Sequence, residues 1–209
     1  MPNADLVADD RGVQRCRWCI GDATYQQYHD HEWGYPIVDP YRLFEKICLE
    51  GFQAGLSWLT ILKRRPRFRE VFAEFDFHVV SQFVEKDIDR LLQDRGIIRH
   101  RGKIQATIDN ASRAIEMEHE PGGLAAFFWS FEPSQSKPRH RFDDIPAKTV
   151  ESNALSRELK RRGWKFVGPT TCYAFMQSMG IVNDHLKGCD QFEVIEEARR
   201  QMARPTLAS

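Results

Sequence analysis

The chain has 209 residues, 42% of them hydrophobic, and 30 Lys and Arg balance 30 Asp and Glu, so its formal net charge is zero. That is enough apolar material for one large domain, and any affinity for nucleic acid must come from local patches rather than bulk charge. No apolar run approaches the length of a membrane span, and the opening MPNADLVADDRGVQ is too polar for a secretory signal, so a cytoplasmic protein without membrane partners is expected. The five cysteines (Cys16, Cys19, Cys48, Cys172 and Cys189) are an odd count that suits reduced thiols better than a disulfide framework.

Taken in chain order, the pattern is helical almost throughout. Residues 1–14 are expected to be a disordered N-terminal extension. Asp39-Pro40 reads as a cap followed by a first-turn proline, and Leu43, Phe44, Ile47 and Cys48 form the apolar face of the helix it opens. Gly51 and Gly55 bracket a break, after which Leu56, Trp58, Leu59, Ile61 and Leu62 make a second helix ending in KRRPR. Pro66 is expected to open a further short helix carrying Phe68, Val71, Phe72 and Phe75. Helices then follow at 85–94, 103–120 and 124–131, with Pro121-Gly122-Gly123 closing the second of them. Residues 132–144 read as an exposed loop, and helices return at 150–163, 169–180 and 191–202. With no period-two runs, the fold class is all-α, with about eight helices.

Four constellations carry chemistry. His185 and Cys189 in NDHLKGC stand one helical turn apart, where two ligands can hold one metal. Cys16, Cys19, His29 and His31 are the upstream candidates to complete a closed Cys2His2 set, and spacing does not choose among them. In QDRGIIRHRGKIQAT, a helix end, Gly96, Gly102 and a new helix near Lys103 form a hairpin. Its backbone N–H groups, with Arg95, Arg99, His100, Arg101 and Lys103, suit a phosphate.

Glu50, in EGFQAGLSW, follows an apolar helical face, where a carboxylate risks burial and would need a partner. It reads either as a pocket carboxylate with Trp58 as stacking wall, or as an exposed helix-end Glu beside a core Trp. Finally Trp18, Tyr25, Tyr28 and Trp33 crowd into sixteen residues among polar neighbours. They suit a base-binding pocket or packing around a metal knot.

The stretches YHDHEWG, ICLEGFQAGLSWLTILK, GIIRHRGKIQA, FWSF and WKFVGPTTCYAFMQSMGIVNDH, in this order, closely resemble the 3-methyladenine DNA glycosylase I family. The resemblance runs from about Cys16 to Cys189 and implies a helix-hairpin-helix DNA glycosylase with a structural zinc. The implied glycosylase domain covers 15–190, with the hairpin at about 91–106 and a C-terminal extension at 191–209. The resemblance places the zinc ligands, one ion per chain, on Cys16, His29, His185 and Cys189, and gives Cys19 no role. It makes Glu50 the carboxylate that holds the excised base, Trp58 the stacking wall and Tyr28 a second contact, with Trp18, Tyr25 and Trp33 lining the pocket. Gly55 and Leu56 are the implied approach to DNA, Leu56 filling the gap in the stack, while Arg99, Gly102 and Lys103 belong to the hairpin.

The implied reaction flips a methylated base out of double-stranded alkylated DNA and hydrolyses its N-glycosidic bond. N3-methylation makes the attached adenine cationic, so it leaves readily, and an aromatic pocket with one carboxylate favours it over neutral adenine. The family lacks the catalytic Asp of related enzymes. Asp109 follows the hairpin too soon to replace it, and no lysine is placed as a Schiff-base nucleophile. A monomeric, monofunctional glycosylase without lyase activity is expected. The alternative is a non-catalytic, zinc-stabilised helix-hairpin-helix module that only binds DNA.

Overall fold

The computed structural model describes residues 3–207, and residues 1, 2, 208 and 209 of the expected terminal extensions lie outside that range. A short antiparallel hairpin comes first, β1 (Leu6–Ala8) paired with β2 (Gln14–Cys16) in the register Leu6 opposite Cys16. The described part of the N-terminal extension is therefore ordered rather than frayed. Asp9 holds the turn by accepting from the Arg11 and Val13 amides, and Asp190 accepts from the Gln14 amide. These are contacts between positions far apart in the chain or within a tight turn, which apolar periodicity does not register.

Ten α-helices follow among the described residues: α1 (Ala23–His31), α2 (Pro40–Gln53), α3 (Trp58–Val71), α4 (Phe77–Val80), α5 (Glu85–Gln93), α6 (Arg101–Glu118), α7 (Gly123–Trp129), α8 (Val150–Arg161), α9 (Pro169–Ser178) and α10 (Asp190–Gln201). None is long and apolar enough to cross a membrane.

The central element is α2. Asp39 caps it by accepting from the Arg42 amide at 2.8 Å, and every residue from Leu43 to Phe52 is buried. It packs against α3, α6, α7 and α9. A helix enclosed on all sides must find partners for its charged residues. Glu45 does so with Arg69 of α3, and Lys46 with Glu50 one turn on.

Pro66 does not open a new helix. α3 continues through it, burying Ile61 and Leu62 before and Phe68 and Val71 after. Apolar burial on both sides of the proline outweighs its interior cost of about 3 kcal/mol. The loop 132–144 is less free than expected, because Arg139 pairs with buried Asp184 at 3.1 Å and accepts from the Lys187 amide.

Where α2 ends, Gly55 adopts a φ of +85°, a left-handed conformation that turns the chain into α3. Ser57 caps α3 through the Thr60 amide. Behind this turn the end of α9 meets the strand-like segment after α1. A Cβ on Gly180 would lie 2.5 Å from the Gly34 carbonyl oxygen and the Pro36 nitrogen, so only glycine allows the two backbones to touch.

Candidate base pocket and metal centre

Four parts of the chain meet around one open cleft of about 450 Å³. Trp18, Tyr25, Tyr28 and Trp33 come from the N-terminal segment, Glu50 and Gln53 from the end of α2, Trp58 from the first turn of α3, and Ala174 and Gln177 from α9. All six groups expected to address a base thus share one cleft. The rings form a connected set, with Trp18 edge-on to Tyr25 and Trp33 at 4.7 and 5.1 Å between centroids. Tyr28 lies tilted against Trp58 at 5.5 Å. An adjoining groove shares Glu50, Gln53 and Ala174 and continues over Gly55 and Leu56 to Thr170 and Thr171. Leu56 is 41% exposed there, an unusual place for a leucine, and nothing lies within 4 Å of where a Gly55 Cβ would be.

Lys46 is the group that reading the sequence missed. Its ammonium lies 2.9 Å from Glu50 Oε1, donates to the Tyr28 hydroxyl at 2.8 Å, and sits 3.1 Å from the centroid of the Trp58 ring. The available signal was its position four residues before Glu50, on the same face of an otherwise buried helix. Burial pushes Lys46 down to about 8, with the Glu50 charge opposing the shift. Burial first, and then the same carboxylate, push the Tyr28 hydroxyl well above its ordinary range, so it stays a neutral donor. Tyr25 moves up to about 12 for the same two reasons. Trp58 Nε1 is buried without a hydrogen-bond partner, an orphan donor beside the cleft.

The hairpin residues divide. Arg99 and Gly102 are exposed at the turn between α5 and α6. Lys103 is not a free phosphate contact: its ammonium donates to the carbonyls of Phe52 and Ala54 at 2.8 and 2.7 Å, and its amide is taken by His100. A cation placed on the last carbonyls of α2 satisfies that helix end and its dipole, which accounts for the burial. Asp109 is paired with Lys165 at 2.6 Å, lines neither cleft nor groove, and has no role in the chemistry.

Cys16, His29, His185 and Cys189 come together in a buried cluster with all four donor atoms within 4.8 Å of one another. His29 Nδ1 is held by Asp30 at 2.8 Å, and His185 Nε2 donates to the Trp33 carbonyl at 2.9 Å. Each imidazole therefore turns its other nitrogen to the cluster, where Cys189 Sγ lies 3.5 Å from His29 Nε2 and 3.7 Å from His185 Nδ1. Cys189 is pulled down by the Cys16 thiol and by the two imidazoles beside it, so the set already favours a thiolate. This chemistry fits a metal that accepts sulfur and nitrogen. Cys19 stands outside, its thiol donating to the Cys16 carbonyl at 3.2 Å. Cys48 and Cys172 are core thiols raised by burial.

A helical scaffold with a buried, ion-paired carboxylate in an aromatic cleft, opening onto a groove with an exposed leucine, defines a protein that takes in one flat ring from a larger molecule. The chain belongs to the methyladenine glycosylase family, whose profile matches residues 18–193. It is 51% identical over 179 residues to DNA-3-methyladenine glycosylase 1 of Escherichia coli K12, covering 85% of this chain and 96% of that one. A crystal structure of 3-methyladenine DNA glycosylase I superimposes with a TM-score of 0.82 at 51% identity, covering 85% and 98% of the two chains. A variant of 3-methyladenine DNA glycosylase I in complex with 3-methyladenine is similar at 35% identity and a TM-score of 0.81, covering 85% and 97%.

Proposed function

We propose that this chain, acting as a monomer in the cytoplasm, excises 3-methyladenine from alkylated double-stranded DNA by hydrolysing its N-glycosidic bond. The observation that carries the reading is Glu50, ionised and buried in a cleft walled by Tyr28 and Trp58, in a member of the methyladenine glycosylase family. The base must leave the stack to reach that cleft, at a cost of a few kcal/mol that is smallest for a damaged base. Leu56 takes the vacated place in the duplex, while Gly55 lets the backbone come close. The turn between α5 and α6 serves as a helix-hairpin-helix, with Arg99 on a phosphate and the backbone near Gly102 against the strand.

In the cleft, the aromatic faces and the Glu50 carboxylate select a cationic purine. Water adds to the sugar C1′ as the bond to the base breaks, and the bonding electrons neutralise the departing 3-methyladenine. The leaving group is good enough that no carboxylate beyond Glu50 is needed, in keeping with the engagement of Asp109 elsewhere. Cys16, His29, His185 and Cys189 hold one zinc, and four protein donors leave no open position for a water, so its contribution is structural. His29 follows Tyr28 directly on α1, so holding one side chain places the other.

The test is release of free 3-methyladenine from methylated duplex DNA by the purified protein. Glu50→Gln is expected to lower that rate by roughly 10–100-fold, the worth of a hydrogen bond to a charged group. DNA binding without any released base would instead identify the non-catalytic module.

A further inference from the structure

Lys46 touches each of the three groups assigned to the base and yet does not line the cleft. It and Glu50 are each 5% exposed, and a second cavity of about 500 Å³ lies on its other side. The other charges around it are engaged elsewhere. Glu45 pairs with Arg69, Arg65 of α3 pairs with Glu32 just beyond α1, and Arg42 and His31 stand at the exposed rim. α9 presents only the uncharged Ser178 and Met179. Among the described residues Lys46 is the one cation in contact with Glu50.

A buried ion pair is no better for stability than a well-packed apolar pair, so its presence beside a ligand cleft asks for another reason. The chemistry of the ammonium supplies one. It has three donors and no acceptor, so the oxygen of Tyr28 must accept from it, leaving the tyrosine O–H free to donate. Lys46 occupies Glu50 Oε1, and Oε2 takes no hydrogen bond from the described residues. The cleft is thereby given one acceptor and one donor, the complement of an amino group beside a ring nitrogen.

We propose that Lys46 is a positioning residue for base excision: its ammonium keeps Glu50 ionised despite burial and sets the hydrogen-bond polarity of Glu50 and Tyr28. This rests on Glu50 being the carboxylate that holds the base. Without the cation, desolvation favours the protonated carboxyl and raises the pH at which Glu50 ionises. The pH must then be higher before the site is competent.

The experiment is the pH profile of 3-methyladenine release under single-turnover conditions. The proteins compared are wild type, Lys46→Met, Lys46→Arg, Glu50→Gln and the Lys46→Met/Glu50→Gln double variant. Lys46→Met is expected to move the acidic limb up by about one pH unit or more, which at about pH 6 is a loss of roughly tenfold that recovers at higher pH. Lys46→Arg, which preserves the charge, is expected to keep that limb in place. The double variant should be no slower than Glu50→Gln alone, because Lys46 acts through that carboxylate. A Lys46→Met profile that superimposes on wild type, beside an impaired Glu50→Gln, overturns the role of Lys46. Glu50→Gln at the wild-type rate overturns the assignment of Glu50 instead. Should Lys46→Met fail to give the wild-type circular dichroism spectrum, the isosteric neutral variant Lys46→Gln carries the same two readings.

Discussion

His185 Nε2 donates to the backbone carbonyl of Trp33 at 2.9 Å, joining a residue of the buried Cys-His cluster to a wall of the base cleft. The rings of the two residues also meet edge to face at 4.6 Å. Whatever fixes His185 therefore fixes Trp33, and through it Trp18, which packs against Trp33 at 5.1 Å.

Elemental analysis of the purified protein should find about one zinc per chain. Cys189→Ser should remove most of it, whereas Cys19→Ser should retain the full complement, because the Cys19 thiol is turned to the Cys16 carbonyl. Chelation should lower Tm and base release together, since the N-terminal rings lose their anchor.

Leu56→Ala should slow excision from duplex DNA by roughly tenfold and leave affinity for free 3-methyladenine unchanged. Its side chain is exposed in the groove and absent from the cleft lining, so only the flipped state of the duplex loses a contact. Comparing single-turnover rates with calorimetric titration of the free base separates the two effects.

Two basic residues of the same turn should behave oppositely. Arg99→Ala is expected to weaken DNA binding across sequences and reduce the salt slope of log K by about 1. Lys103→Met is expected to leave that slope alone and cost about 1–3 kcal/mol of stability, a Tm loss of several degrees, because two carbonyls at the end of α2 lose their donor. Binding isotherms at several salt concentrations and thermal melts distinguish them.

Borohydride should trap no covalent adduct between the protein and abasic DNA. Lys46 is the lysine nearest the cleft, and its ammonium is buried against Glu50, Tyr28 and Trp58 rather than open to a sugar. A trapped adduct lost in Lys46→Met would establish a lyase step.

Much of the site could be read before the fold was known. Cys189 and His185 share a helical spacing, and the aromatic residues crowd into one short segment, so type and position alone singled them out. Lys46 escaped notice because a lysine in a helix is ordinarily solvent-facing, and only the burial of α2 on all sides makes it part of the cleft. Lys103 misled in the opposite direction. Its basic neighbours suggested a phosphate, while its real partners, Phe52 and Ala54, lie about fifty residues back along the chain. Pro66 was read as a boundary because local backbone chemistry says so, and tertiary burial overrode it. The hairpin of β1 and β2 has no apolar alternation to announce it and rests on turn and cross-chain hydrogen bonds.

The close meeting of Gly180 with Gly34 and Pro36 bears on how damage is found. Two of the cleft's walls, the segment after α1 and the end of α9, are pressed backbone to backbone and have no slack to close around a guest. The enzyme is then a rigid gauge rather than a hand: the DNA must do the deforming, and a base that does not fit simply returns to its stack. Any side chain at position 180 would force those walls apart and blunt that gauge, even though the residue touches neither base nor metal.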